Sequence, residues 1–199
     1  MSVYDYRLLA CPPRQSAAVA RGLVDHGVPG GRVFGVFTAQ IGLPRDQVIM
    51  MNVWQDAASV RAPALAPGVT VVEQALWDAT IRPAENAVID VGPGIVTHRC
   101  FTVRDEDVAN FLDLSDTAWG NFEATQAARP IGMWRSRTPA GPGLADMRLM
   151  TWYSDLEAWD ASRFWTPNPN PATAAAHARF KARGDITMST NVIVTGQIV

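Results

Sequence analysis

The chain has 199 residues, enough for one large domain or two small ones, and its 48% hydrophobic and 18% charged residues are those of an ordinary globular protein. A formal net charge of −2 without a basic cluster excludes the phosphate neutralisation that nucleic-acid binding requires. No apolar run approaches the roughly 20 residues of a bilayer span, and the opening MSVYDYRLLA lacks the charged and apolar regions of a signal peptide, so the expected location is the cytoplasm, with Cys11 and Cys100 reduced.

Residues 3–10, VYDYRLLA, are β-branched and aromatic and read as a first strand. Pro12 and Pro13 then lead into a helix whose Ala17, Ala20, Leu23 and Val24 share a face, with Gly27 as its stop. Residues 32–39 and 47–54 form a hairpin of strands two and three; Asp56 caps a short helix that Pro63 must end; a fourth strand lies within 69–81. The order is β-α-β-β-α-β. Residues 84–94 connect, and the order then repeats. Residues 95–103 are a strand, Asp105 caps a helix carrying Val108, Phe111, Trp119 and Phe122 on one face, and 130–137 and 146–153 form a second hairpin. Ser154 to Glu157 has the capping-box pattern and opens a helix with Trp159 and Trp165. An insertion, TPNPNP, and a further helix over 171–183 precede a last strand at 186–194. That final helix is Ala-rich with Arg179, Lys181 and Arg183 in its last turn, which suits a solvent-exposed structural helix.

The chain therefore reads as an α+β protein of two tandem ferredoxin-like modules, 1–83 and 95–199, joined by 84–94. Matching them sets Gly35 against Gly132, Phe37 against Trp134, Asn52 against Thr151 and Trp54 against Tyr153. Each module leaves one sheet face bare, and the two bare faces can satisfy each other in a closed barrel whose interior would hold a small ligand. The outer strand edges leave room for a homodimer of the tandem unit.

YDYRLL at the first strand and QVIMMNVWQDAASV from the third resemble NIPSNAP-like proteins. The resemblance implies the dimeric α+β barrel fold, here with an internal pair in place of the usual dimer. The second half departs from the pattern, opening with VTHRC: it keeps Arg99 where the first half has Arg7 but loses the acid, and Met50 stands where many relatives carry histidine. The wider group that the resemblance implies includes cofactor-free oxygenases, haem-binding and haem-degrading proteins, cyclases, and relatives with trafficking roles.

Arg7 and Arg99 alternate with Tyr6 and His98, so each first strand offers a cation on one face and a ring on the other. If the arginine face lines the barrel, Asp5, Arg7 and Arg99 can hold an acidic or enolate substrate; if the other does, His98 is the candidate acid or base. The same residues also suit a rim ion pair and a packed core histidine. Asn52, Trp54, Thr151 and Tyr153, with Trp134, would line an aromatic pocket for a flat apolar ligand. Trp119 sits on a core stripe. His177, on the inserted helix, is a candidate substrate or haem contact if that helix acts as a lid. No HExxH, CxxC, phosphate-cradling glycine loop or GxSxG occurs. The expectation is a small-molecule-binding barrel, an enzyme of oxygenase, cyclase or lyase type needing no metal or cofactor, with haem binding or a non-catalytic interaction role as alternatives.

Overall fold

The structure, a computed structural model, describes residues 2–163 and 171–198. The elements run β1 (Val3–Ala10), α1 (Ser16–His26), β2 (Arg32–Ile41), β3 (Gln47–Trp54), β4 (Thr70–Ala79), β5 (Ile95–Arg104), α2 (Val108–Thr125), β6 (Ala128–Ser136), β7 (Leu144–Tyr153), α3 (Leu156–Ala161), α4 (Pro171–Asp185) and β8 (Thr187–Ile198). Among the described residues the strands are antiparallel and close into a barrel in the order β1-β3-β2-β8-β5-β7-β6-β4. Closure comes from β2 pairing with β8 and β4 pairing with β6.

β1, β3 and β7 are buried along nearly their whole length because both of their faces are covered. Alternate residues of β1, namely Tyr4, Tyr6 and Leu8, point into the lumen, where they meet Phe37, Ile49, Met51, Trp77, Val96, Trp134 and Met150. Outside, α1 buries Val19, Ala20 and Leu23 against Val36, Val48 and Met50. On the opposite side α2 lays Val108, Phe111 and Trp119 over Phe101, Met147 and Leu149. Gly27 ends α1 at φ 61°, its N–H bonding to Leu23 O at 3.2 Å.

The two hairpins share one geometry. Asn52 lies opposite Asp5 and Thr151 opposite Thr97; Met51 lies opposite Gly35 and Met150 opposite Gly132, with a register shift just before each glycine. A Cβ on Gly35 would stand 2.5 Å from Phe37, and one on Gly132 2.5 Å from Trp134. Each glycine clears the space into which an aromatic two residues later folds back.

Several local expectations are corrected. Residues 57–59 form only a single 3-10 turn, with Asp56 accepting from Ser59 N at 2.8 Å as its cap. Asp105 does not cap α2; its carboxylate accepts from Arg135 at 2.7 Å instead. Asp155, not Ser154, caps α3, accepting from Ala158 N at 2.7 Å. Trp165 lies outside the described residues. The inserted helix α4 is not simply solvent-exposed: Thr173, Ala176 and Arg183 are buried, and Phe180 packs edge-on against Phe122 of α2 at 5.4 Å. Among the described residues no helix is long and apolar enough to cross a membrane, and no group of three or more metal-ligating side chains forms.

Candidate functional site

The alternation left open in the sequence resolves in favour of the rings. Tyr6 and His98 face the lumen, whereas Asp5, Arg7 and Arg99 face outward. Since β1 and β5 stand on opposite sides of the barrel, Arg7 and Arg99 cannot share one substrate. Around β1, Arg7 Nε donates to Asp5 Oδ2 at 2.8 Å and Arg7 Nη2 to Arg61 O at 2.8 Å, while Gln74 Nε2 donates to Asp5 Oδ1 at 2.9 Å. The pair is sealed: Asp5 is 0% and Arg7 3% exposed. Asn52 is buried beside it on β3 with neither amide atom partnered among the described residues, and Trp54 covers Gly31. This outer face of the first half is a closed ion pair and not a receptive site.

His98 is sealed inside the lumen. Its ring meets Phe37 edge-on at 4.7 Å, and Nε2 lies 3.1 Å from Thr195 Oγ1. Thr195 already donates to Val96 O at 2.9 Å, so it accepts from His98 Nε2–H, and the ring is the neutral tautomer with Nδ1 unprotonated. Burial, with the Arg148 guanidinium nearby, pushes its pKa down to about 3. Arg148 spans the lumen over Tyr6 and Trp77, at 3.6 and 4.8 Å from the ring centroids. Trp134 is fully buried against Tyr4 and Phe34. Tyr6, His98 and Trp134 are thus packed lumen residues, which corrects the expectation that the barrel interior holds the ligand.

The space lies elsewhere. A cavity of about 430 Å³ opens between the outer face of β5, β7 and β8 and the helices α2 and α4. Thr97, Arg99 and Phe101 of β5 and Leu149, Thr151 and Tyr153 of β7 make its floor; Trp119 and Phe122 of α2, Ser162 and Arg163 after α3, and Phe180, Arg183 and Gly184 of α4 make its walls. Tyr153 is the one aromatic from the expected pocket that reaches it. Burial raises the Tyr153 phenol above its usual range, opposed by a Ser162 hydrogen bond and three arginines, so it stays protonated and can donate. Arg183 donates to Ser115 Oγ at 3.1 Å and lies within about 5 Å of the Phe101 and Phe180 rings; burial, with Arg99 nearby, pushes it down to about 9. Burial and the neighbouring Arg163 also push Arg99 down. Among the described residues no carboxylate and no histidine lines the cavity.

A larger cavity of about 630 Å³ sits beneath residues 84–91. Its arginines already have partners: Arg82 pairs with Glu123 at 2.6 Å, and Arg129 donates to Asp90 O at 2.9 Å. The smaller cavity, where Arg99 has no carboxylate partner among the described residues, is the stronger candidate site.

Sequence reasoning placed Arg99, Thr151 and Tyr153 in a site and missed Arg163, Arg183, Phe180 and Ser162. His177 is half-buried on α4 with a hydrogen bond to the Ser162 backbone, and burial lowers its pKa; it does not line the cavity.

No family model matches the chain, and no curated protein matches it. Solved structures do. An anthrone oxidase-like protein aligns with TM-score 0.66 at 13% identity, over 100% of this chain and 92% of its own. A putative monooxygenase from Fusobacterium nucleatum gives 0.62 at 11%, covering 100% and 93%, and a chlorite dismutase from Candidatus Nitrospira defluvii gives 0.63 at 8%, covering 100% and 91%. The fold is the dimeric α+β barrel. At these identities the dimeric α+β barrel likeness fixes architecture, and chemistry must come from the cavity.

Proposed function

We propose that the cavity between the β5–β7–β8 face and α2–α4 binds a small apolar, aromatic molecule, and that the protein is an enzyme of oxygenase, cyclase or lyase type working without a resident cofactor. The observation that carries this reading is the cavity wall itself, in which Phe101, Trp119, Phe122, Tyr153 and Phe180 surround a few convergent polar groups. The protonated Tyr153 can donate to a substrate oxygen, and Arg99, Arg163 and Arg183 stabilise negative charge that develops there in a poorly hydrated space. The named monooxygenase and anthrone oxidase-like structures of the same fold support the oxygenase branch.

Haem does not fit these residues. His98 is sealed in the lumen, His177 is outside the cavity lining, and His26 bonds Gly22 O at 2.7 Å on the distant α1, so no histidine stands ready as an axial ligand. The interaction role that the NIPSNAP resemblance carries calls for no ligand cavity, and the 430 Å³ space favours the binding reading over it. The two-module division, 1–83 and 95–199, belongs to the same proposal, as does a homodimer of the tandem unit.

Gly184 lines the cavity and a Cβ there would meet nothing within 4 Å, so Gly184→Phe adds bulk at the cavity wall without a clash at the Cβ. Native mass spectrometry of protein purified from its own host, before and after denaturation, is expected to release an aromatic small molecule that the folded Gly184→Phe protein no longer carries. Full occupancy of that variant by the same molecule would place the binding site elsewhere.

A further inference from the structure

The two outer faces of the barrel are built on one register, and they differ at one charge. On the first, Asp5 and Arg7 are two residues apart on β1, opposite Asn52, and form a sealed ion pair under the Arg61 carbonyl. On the second, the same places hold Thr97 and Arg99 of β5, opposite Thr151. Thr97 is buried and donates only a long 3.4 Å bond to Thr151 O, so nothing at that place neutralises Arg99. Among the described residues no carboxylate pairs with Arg99. Where the first face is closed by its own acid, the second is open, and Arg99 looks into the cavity.

We infer that the ligand of this cavity is an acid, and that its carboxylate pairs with Arg99 in the place that Asp5 occupies beside Arg7. The inference rests on the reading of the cavity as an aromatic-binding site and adds its substrate class: a flat aromatic carboxylate, with the ring among Phe101, Trp119, Phe122 and Phe180 and the acid at Arg99. Setting Arg99 beside the buried Arg183 in one apolar space is unfavourable without such a counter-charge, because each loses hydration and repels the other. Asp160 attends Arg163, and aromatic rings with Ser115 accommodate Arg183, which leaves Arg99 as the cation whose partner must come from outside.

The test uses 2-naphthoate and its neutral counterpart 2-naphthalenemethanol, titrated by calorimetry into the full-length protein and three variants. The wild type is expected to bind the carboxylate at least about tenfold more tightly than the alcohol, as charge-assisted pairing implies. Thr97→Asp supplies the internal acid of the first face and is expected to bring that ratio close to one. The uncharged Thr97→Asn should keep the preference. Arg99→Gln should remove it while leaving the alcohol's affinity within about twofold, and it guards against a Thr97→Asp protein that does not fold. Equal affinity of the wild type for both probes overturns the acid assignment and leaves the aromatic cavity standing. Binding of neither probe overturns both.

Discussion

At the scale of single residues, His98 shows how burial alone can remove a group from chemistry. With Nε2 donating to Thr195 and the ring against Phe37, protonating Nδ1 would place a charge in the lumen beside Arg148. The folded-state pKa of about 3 lies below the usual 6.5, so between those values the unfolded chain binds a proton that the folded protein does not. Stability from this residue is therefore present above pH 6.5 and is lost as pH falls toward 3, on the order of 3 kcal/mol between pH 6.5 and 4. Urea unfolding at pH 7 and pH 4 should show a smaller loss in His98→Gln than in the wild type by about that amount. Equal losses would mean that His98 titrates normally. Residue types alone could not assign this role, because Val3 to Leu9 of β1 are all buried, Asp5 and Arg7 included, so polarity there does not mark which face is exposed. Arg99 and Tyr153 were legible because their partners in the first half mark their positions. Trp119 was read as core and is both core and cavity wall. Phe180 and Arg183 do carry a signal, three residues apart on one face of α4, but a low-hydropathy Ala-rich helix hides it.

At the scale of elements, the bulge-and-glycine step fixes how each hairpin meets the lumen. A Cβ on Gly132 would lie 2.5 Å from Trp134 Cη2 and 2.7 Å from Pro83 Cδ, so the ring or the strand must shift. Gly132→Ala is expected to cost about 1–3 kcal/mol, as overpacking does. Gly120, inside α2 with nothing within 4 Å of its Cβ, provides the contrast: Gly120→Ala should be neutral or stabilising by up to about 1 kcal/mol. Urea midpoints of the two variants check the pair, and similar effects from both would refute the packing argument. The strands were readable because apolar runs bounded by Gly and Pro leave few alternatives, and β1 and β3 fall where the sequence places them. The short helix after β3 was not, since one Asp56 cap supports a 3-10 turn as well as a helix and Pro63 leaves no length to decide between them.

At the scale of the molecule, the lumen belongs to neither half. Tyr4, Tyr6, Phe37, Met51 and Trp77 from the first half pack with Val96, Trp134 and Met150 from the second, and the pairings of β2 with β8 and β4 with β6 stitch the halves at both seams. The sequence implied closure only through the argument that two bare sheet faces need each other; it held no cue for which strands meet at the seams, because cross-half pairing leaves no local pattern. A half that separated would expose its large lumen side chains to water, at roughly 1.5–3 kcal/mol each. The barrel should therefore unfold in one cooperative transition, with far-UV circular dichroism and tryptophan fluorescence tracing the same urea curve. Trp134→Ala, at the centre of the Tyr4 and Phe34 edge contacts, should shift that single curve by about 3–5 kcal/mol without splitting it. Two resolved transitions in the wild type, one for each half, would show that the shared lumen does not couple them.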